Sequence, residues 1–332
     1  MSDLMLKLRN LKVVFPAQEG IIKAVEGIDL DIGKGECVAL VGESGCGKSV
    51  TSLAIMKLLN SPPALVKVDE INLDGEELKN HSDAKMQELR GKTLSMIFQD
   101  AMTALNPVMT IGRQIDEIYI RHNNYSKREA RKLTIKALDL VGVPEAKSRA
   151  NSFPHQLSGG MRQRVLIAMA FACMPKLIIA DEPTTALDVT IQAQVLNVLS
   201  DMQKKHHVSL LLITHDLSVV ANMADTIYVM YSGKIVETAS KRELFTSPKH
   251  PYTEGLLGSV PRLSDSHHHF VQIPDAVPHP MFKPGGCYFH PRCSYCTEEC
   301  KLKMPPLVKT ADGSEYRCFH PLNLKGGHKD AK

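Results

Sequence analysis

The sequence predicts an α/β fold with a largely parallel sheet, and two observations support this prediction. Residues 42–49 fit the phosphate-loop pattern G-x-x-x-x-G-K-[S/T]. They lie between an apolar strand at 37–41 and a helical segment at 50–59, which is the context that the loop requires. Further along, apolar strands predicted at 176–181 and 208–214 alternate with helical segments. Such alternation favours parallel strands that are covered by helices.

The segments on either side of the phosphate loop complete this prediction. Residues 4–32 alternate apolar and polar side chains around a turn at 18–20, which indicates antiparallel strands at the edge of the fold. Between 100 and 157 apolar residues recur at helical spacing, so a helical insert is predicted there. The other predicted elements are strands at 71–73 and 94–98 and helices at 111–120, 127–141, 161–172 and 191–204.

Length and composition set the class of protein. With 332 residues, 43% hydrophobic and 23% charged, the chain has room for one large domain with an appendage, or for two domains. The net charge of +4 is too small to argue for nucleic acid. No apolar stretch reaches the roughly 18 residues of a membrane helix, and the N-terminus has no leader pattern. We therefore expect a protein that is not secreted and does not span a membrane.

The phosphate loop indicates that the chain binds a nucleotide. Its glycines let backbone N–H groups turn toward phosphate oxygens, and the following helix adds the positive end of its dipole. Lys48 can reach the outer phosphates, and the hydroxyl of Ser49 can hold Mg²⁺. The predicted binding segment comprises Gly42, Glu43, Ser44, Gly45, Cys46, Gly47, Lys48, Ser49 and Val50.

Two acids end the apolar strand at 177–180. Asp181 fits the aspartate on the Mg²⁺ side of phosphate-loop ATPases, and Glu182 can polarise an attacking water as general base. The alternative is an acid that merely caps a helix. Pro183 and the upstream phosphate loop make that alternative the weaker one.

A second anion-binding helix start follows more than a hundred residues after the first. Ser158, Gly159 and Gly160 open the helix predicted at 161–172. One nucleotide does not need two phosphate cradles from one chain. The pair of motifs therefore predicts two chains, each of which lends its Ser-Gly-Gly segment to the other's nucleotide.

These motifs resemble those of the ATP-binding-cassette (ABC) family. The resemblance implies a phosphate-loop ABC ATPase core at 1–237, with an antiparallel β subdomain and a helical subdomain at about 100–160. It also implies roles for single residues. Gln99 would touch Mg²⁺ and water, Asp188 would position the loop that crosses to the partner, and His215 would contact the γ-phosphate. Phe15 would stack on adenine, although a place in the strand core is an equal alternative.

Further segments resemble one branch of that family. Residues 96–107, 157–170 and 250–253 are similar to stretches of the oligopeptide and dipeptide importer ATPases. This implies an ATP-hydrolysing subunit of a peptide importer, with ATP and Mg²⁺ as its ligands and Glu182, His215 and Gln99 as its catalytic residues. A nickel or metal-chelate importer is an alternative, and a soluble nucleic-acid ATPase is a more distant one.

The same resemblance implies partners and a location. They are a second ABC ATPase subunit in a heterodimer, two transmembrane permease subunits and an extracytoplasmic peptide-binding protein, with no nucleic acid. The chain would lie at the cytoplasmic face of the cell membrane as a peripheral protein. An ATPase without a channel partner is an alternative.

The segment at 238–332 is predicted to form a small cysteine-rich C-terminal domain. It is rich in proline and holds five of the eight cysteines. In a cytosolic protein such a cluster is more typical of a metal site than of disulfides. Spacing alone does not separate a [4Fe–4S] cluster from zinc. The resemblance implies a [4Fe–4S] cluster on Cys287, Cys293, Cys300 and Cys318, with Zn²⁺ as the alternative. Cys296 is a fifth thiol, and with Cys293 it forms a C-x-x-C pair that suits zinc.

Overall fold

The computed structural model of the chain describes residues 4–185, 187–259 and 273–324. These residues divide into two compact units. The first contains 4–7, 31–37 and 72–213, apart from residue 186. The second contains 8–30, 38–71 and the described part of 214–332. The predicted C-terminal domain is thus described at 238–259 and 273–324, and its boundary at 237 stays a prediction.

Strands and helices alternate between residues 177 and 231, whereas most other elements follow one another in runs of one kind. The strands are β1 (Leu4–Ala17), β2 (Gly20–Gly33), β3 (Cys37–Val41), β4 (Leu65–Lys67), β5 (Glu70–Leu73), β6 (Glu76–Glu77), β7 (Leu94–Ile97), β8 (Leu177–Asp181), β9 (Ser209–Thr214), β10 (Thr226–Tyr231), β11 (Lys234–Ser240), β12 (Val308–Lys309) and β13 (Glu315–Tyr316). The helices are α1 (Lys48–Ile55), α2 (Asp83–Leu89), α3 (Ala101–Ala104), α4 (Ile111–Asn123), α5 (Lys127–Leu140), α6 (Ala146–Arg149), α7 (Gly159–Phe171), α8 (Val189–His206), α9 (Leu217–Met223), α10 (Lys241–Thr246), α11 (Pro251–Gly258) and α12 (Glu298–Leu302).

The first unit contains three parallel strands in the order β7-β8-β9. Leu94 lies opposite Leu177, and Leu177 lies opposite Ser209. Every residue of β8 and β9 is buried, as expected for parallel strands that are covered on both faces. The predictions of buried strands at 176–181 and 208–214 are confirmed.

The helical insert predicted between 100 and 157 is confirmed in the same unit. Helix α5 begins with a capping box, in which Ser126 and Glu129 each accept the other's backbone N–H. Asp116 of α4 joins α4 to α5, because it accepts from Thr134 Oγ1 at 2.6 Å and pairs with Arg131 at 2.9 Å. The aspartate is therefore satisfied inside the helix pair.

The second unit contains a mixed sheet in the order β3-β10-β11-β13-β12. Strand β10 runs parallel to β3 and antiparallel to β11, with a register shift between Val229 and Met230. The C-terminal segment extends this sheet, because Tyr316 of β13 pairs with Glu237 of β11 and Val308 of β12 pairs with Tyr316. The strands predicted at 4–32 are also confirmed, as β1 and β2, which are neighbours in the other sheet; β5 lies on the far side of β1, and β4 pairs antiparallel with β1.

Three aromatic rings form the centre of the second unit. Tyr231 ends β10, Tyr252 lies in α11, and Phe289 comes from the C-terminal segment. Their ring centroids are 4.7 to 5.3 Å apart at steep angles, the favoured edge-to-face arrangement. Tyr231 and Tyr252 are almost fully buried. The rings therefore pack α11 and the C-terminal segment against β10.

A buried carboxylate holds the entry to α11. Glu237 accepts the backbone N–H groups of Lys249 at 2.7 Å and of His250 at 2.8 Å. His250 is itself buried, and its Nδ1 accepts the N–H of Tyr252 at 3.0 Å as the cap of the helix. Both side chains replace backbone partners that the chain lacks at this bend.

Among the helices of the described ranges, none combines the length and the apolar character of a membrane crossing.

We expect His250 to make the protein sensitive to acid. Burial lowers the pKa of His250 to about 3, below the ordinary value of 6.5. As pH falls, His250 therefore takes up its proton in the unfolded chain before it does so in the folded protein. The contribution of this group to stability is fully present above about pH 6.5 and is lost as pH falls from there toward 3. Between pH 6.5 and 5 this group should remove about 2 kcal/mol of unfolding free energy.

Urea unfolding at several pH values measures this slope. His250→Asn keeps a capping acceptor that does not titrate, so its slope should be flatter than that of the parent. His279→Asn is the matched control, because His279 Nδ1 also accepts the N–H two residues on but is exposed. Equal slopes for the parent and His250→Asn would contradict the prediction.

Candidate nucleotide site

The phosphate loop lies in the second unit between β3 and α1. Two positions of the loop require glycine, because backbone carbonyl groups of neighbouring segments lie against them. A Cβ on Gly42 would lie 2.2 Å from the Met230 carbonyl oxygen, and one on Gly47 would lie 2.5 Å from that of Ala24. Gly47 has φ +107 and caps α1, so the helix begins at Lys48. The loop therefore has the shape that the sequence pattern predicts.

Lys48 folds back over this loop. Its side chain is buried, and Nζ donates to the carbonyl oxygens of Gly42 at 2.7 Å and Glu43 at 3.0 Å. The ammonium is thus held at the mouth of the loop, where it can meet an anion. Burial raises the pKa of the Cys46 thiol, which therefore stays protonated and inert beside Lys48.

The predicted acids lie in the first unit at the end of β8. Asp181 is buried and lies opposite Ile213 of β9. Glu182 follows with φ +45, a left-handed conformation that is costly for glutamate. Its N–H donates to the Ile213 carbonyl oxygen at 2.8 Å, which holds the strained turn in place.

Two side chains converge on the Glu182 carboxylate. Gln99 Nε2 donates to Oε2 at 3.0 Å, and Thr185 Oγ1 donates to the same oxygen at 2.9 Å. Gln99 follows β7, so neighbouring parallel strands deliver Gln99 and Glu182 to the same edge of the sheet. The structure therefore brings together two of the three predicted catalytic residues, and it adds Thr185, which the sequence analysis missed.

The Ser-Gly-Gly segment is exposed at the start of α7. Ser158 caps the helix by accepting the N–H of Met161, and Ser158 and Gly159 are exposed. Gly160 is buried, and a Cβ there would lie only 2.4 Å from Ile191 Cγ2 of α8. Asp188 caps α8 by accepting the N–H of Ile191 at 2.9 Å. The two predicted partner-facing segments are thus joined through α7 and α8.

His215 and Phe15 lie in the second unit. His215 is exposed just after β9, and Asp216 follows it as the cap of α9. Phe15 is half-buried near the end of β1. Their predicted contacts with a nucleotide stay predictions.

The cysteines of the C-terminal segment are free thiols. Burial, together with neighbouring thiols, raises the pKa of Cys287 to about 11 and that of Cys318 to about 12. The thiols that act on Cys318 are those of Cys287, Cys293 and Cys300, so the four predicted ligands form one neighbourhood. Within the described part of the chain, however, no group of three or more Cys, His, Asp or Glu side chains is arranged to hold a metal ion. The cluster is not confirmed.

The C-terminal segment reaches the phosphate loop, which the sequence analysis also missed. Tyr252 Oη accepts the backbone N–H of Glu43 at 2.9 Å, and Arg292 forms two hydrogen bonds to the Glu43 carboxylate. These partners are 209 and 249 residues from Glu43, so no local spacing reveals them. The sequence signal was limited to the segment at 250–253, which resembles the importer ATPases but does not indicate a contact with the phosphate loop.

Comparisons with known proteins agree with this geometry. Residues 25–185 match the family model described as ABC transporter, and residues 236–300 match the one described as oligopeptide/dipeptide transporter, C-terminal region. The oligopeptide transport ATP-binding protein AppD of Bacillus subtilis is 49% identical over 95% of this chain and 96% of its own. The dipeptide transport ATP-binding protein DppD of Escherichia coli is 45% identical over 97% of this chain and 98% of its own.

A solved structure shows the same cassette fold. It is the dimeric post-hydrolysis state of the ATP-binding cassette MJ0796 bound to ADP and Pi, with a TM-score of 0.64 and 29% identity. The match covers 72% of this chain and 99% of that one. The chain therefore belongs to the ABC transporter family of ATP-hydrolysing proteins, in the branch that carries the oligopeptide/dipeptide transporter C-terminal region.

Proposed function

We propose that this chain powers the import of oligopeptides or dipeptides through a membrane transporter by hydrolysing ATP. The observation that carries the chemistry is the Glu182 carboxylate, which is oriented by Gln99 and Thr185 at the end of the strand that carries Asp181. The cargo class follows from the relatives, which are named for oligopeptide and dipeptide transport. The C-terminal region at 236–300 supports the same class.

The residues divide into those that bind the triphosphate and those that promote its hydrolysis. Residues 42–50 wrap the phosphates, and Lys48 neutralises charge on the transferring group. Ser49, Asp181 and Gln99 are the residues that would hold Mg²⁺, which supplies further charge to the outer phosphates. Glu182 polarises the attacking water, and His215 contacts the γ-phosphate.

A second chain completes the nucleotide-binding site. The Ser158 hydroxyl and the Gly159 backbone are exposed at a helix N-terminus, where donors are available to an anion from outside the chain. Gly160 allows the close helix packing behind them, and Asp188 positions the neighbouring loop. Phe15 stacks on adenine. The phosphate loop of one chain thus pairs with the Ser-Gly-Gly segment of its partner.

The partners and location follow from this role. The chain pairs with a second ABC ATPase subunit and with two transmembrane permease subunits, and an extracytoplasmic binding protein delivers the peptide. It acts at the cytoplasmic face of the cell membrane as a peripheral subunit. No nucleic acid takes part.

The C-terminal cysteines hold a structural [4Fe–4S] cluster in this proposal. Four cysteine thiolates are the usual ligands of such a cluster. Neighbouring thiols, together with burial, raise the pKa of Cys287 and of Cys318, and a cationic centre would favour the thiolate forms of these ligands. Zn²⁺ suits the same donors.

Glu182→Gln should abolish turnover while ATP still binds. Loss of a general base typically slows a reaction about 10²- to 10⁴-fold, and unhydrolysed ATP should then hold two chains together. Phosphate release and light scattering with MgATP measure both effects. Asp201→Asn, an exposed position on α8, is the control and should behave as the parent. Turnover of Glu182→Gln at the parental rate would show that the general base lies elsewhere.

Cells that lack this chain should lose uptake of a labelled dipeptide or tetrapeptide. The intact chain and Asp201→Asn should restore uptake, and Glu182→Gln should fail to do so, because import needs hydrolysis. Co-purification from detergent-solubilised membranes should recover two permease subunits. Unchanged peptide uptake with loss of nickel uptake would instead identify a metal-chelate importer.

Serine replacement of any one of the four predicted ligands should abolish broad visible absorption and bound iron. Cys296→Ser and Cys173→Ser are the matched controls and should keep both. Anaerobic purification followed by absorption spectroscopy and metal analysis makes the measurement. Zinc without iron would replace the cluster by a Cys₄ zinc site, and the absence of both metals would refute the proposal for these thiols.

A further inference from the structure

We propose that Tyr252 and Arg292 are positioning residues of the nucleotide site, which hold the phosphate loop in the conformation that accepts a triphosphate. This goes beyond the hydrolysis proposed above, because it makes the C-terminal region a determinant of ATP affinity. Neither residue would touch the nucleotide. Both act through Glu43, the second residue of the loop.

The Arg292 guanidinium is a fixed anchor. It is buried, and it grips the Glu43 carboxylate with two parallel hydrogen bonds of 2.7 and 2.9 Å. Nε donates to the Pro274 carbonyl oxygen at 2.7 Å, Nη2 to that of Asp275 at 3.0 Å, and Nη1 to Tyr231 Oη at 3.4 Å. A bidentate pair of this kind restricts both partners in position and in angle. Glu43 is therefore held from the side of the C-terminal segment.

Tyr252 holds the backbone of the same residue. Its Oη accepts the Glu43 N–H at 2.9 Å, and its ring is buried between Tyr231 and Phe289. The hydroxyl cannot follow a moving loop, because two aromatic neighbours fix the ring. The Glu43 peptide is thus fixed at its N–H, while its side chain is fixed by Arg292.

The orientation of this peptide bears on the Lys48 ammonium. Lys48 Nζ donates to the Glu43 carbonyl oxygen at 3.0 Å and to that of Gly42 at 2.7 Å. A loop that turned at Glu43 would move these acceptors and shift the ammonium away from the phosphates. Tyr252 and Arg292 therefore act on the chief cation of the loop through one intermediate residue.

Charge gives Arg292 a second effect. Glu43 is an acid in a loop that binds a polyanion, and like charges at short range repel. The guanidinium neutralises this carboxylate, so that the net charge of the pair is zero. Without Arg292, a free carboxylate would face the incoming triphosphate.

Titration calorimetry with MgATP on the purified full chain tests the proposal. Arg292→Met should raise the Kd about 5- to 30-fold, as loss of a charged hydrogen-bond partner typically does. Arg292→Lys keeps the charge but cannot form the two parallel hydrogen bonds, so its Kd should lie between those of the parent and of Arg292→Met. Tyr252→Phe removes only the hydroxyl and should raise the Kd about threefold. The KM of hydrolysis should rise by similar factors, with kcat at saturating MgATP changed less than about twofold.

A double-mutant cycle separates this role from a merely structural one. In a Glu43→Gln background, Arg292→Met should change the Kd less than about twofold, because its effect passes through the Glu43 carboxylate. Lys249→Met is the matched control. Lys249 is a buried cation of the same unit that faces Asp312, so its loss should lower Tm and leave the Kd unchanged.

Two results would overturn the assignment of Arg292. One is a parental Kd for folded Arg292→Met, and the other is an undiminished effect of that substitution in the Glu43→Gln background. A parental Kd for Tyr252→Phe would overturn the assignment of Tyr252. A rise in Kd for Lys249→Met as large as that for Arg292→Met would show that stability alone sets the affinity.

Discussion

The close contact between the phosphate loop and its neighbours constrains the rest of the second unit. Gly42 and Gly47 leave no room for a side chain, because the carbonyl oxygens of Met230 and Ala24 lie against them. The loop is therefore shaped from outside as well as by its own glycines. Met230 belongs to β10, whose neighbour β11 leads into the C-terminal segment. A change in that segment can thus reach the loop through short covalent and hydrogen-bonded paths.

The sequence predicted those elements whose structure depends on residues close by in the chain. Strand β3 was predicted at its observed bounds, because five consecutive apolar residues before a glycine-rich turn indicate a buried strand. Helix α1 begins two residues earlier than predicted, because Gly47 serves as its cap. Asp181 and Glu182 were predicted because they end an apolar strand, whereas Gln99 was predicted from the resemblance to the ABC family; the parallel strands β7 and β8 then place Gln99 beside Glu182.

The residues that were missed depend on contacts between distant segments. Strands β12 and β13 have two residues each, too few for a periodic pattern, and they form only because β11 offers a free edge. Arg292 lies in a loop-rich segment where an arginine has no distinctive signature. Its partner Glu43 occupies a variable position of the loop pattern, so neither residue points to the other. The identity of a metal at the C-terminal cysteines is not predictable from the sequence for a similar reason, because thiol spacing does not fix ligand geometry.

The charge of Glu43 gives the C-terminal region a physical reason to belong to the nucleotide site. An acid in a phosphate-binding loop is unfavourable unless a cation of the protein pairs with it. Within the described part of the chain, Arg292 is the cation that forms an ion pair with Glu43. A chain that stopped at 237 would lack this guanidinium and the Tyr252 hydroxyl, and would present an unpaired carboxylate to its own substrate. The pattern at 42–49 is therefore complete in itself, but Glu43 within it is held by Tyr252 and neutralised by Arg292, both of which lie far outside the pattern.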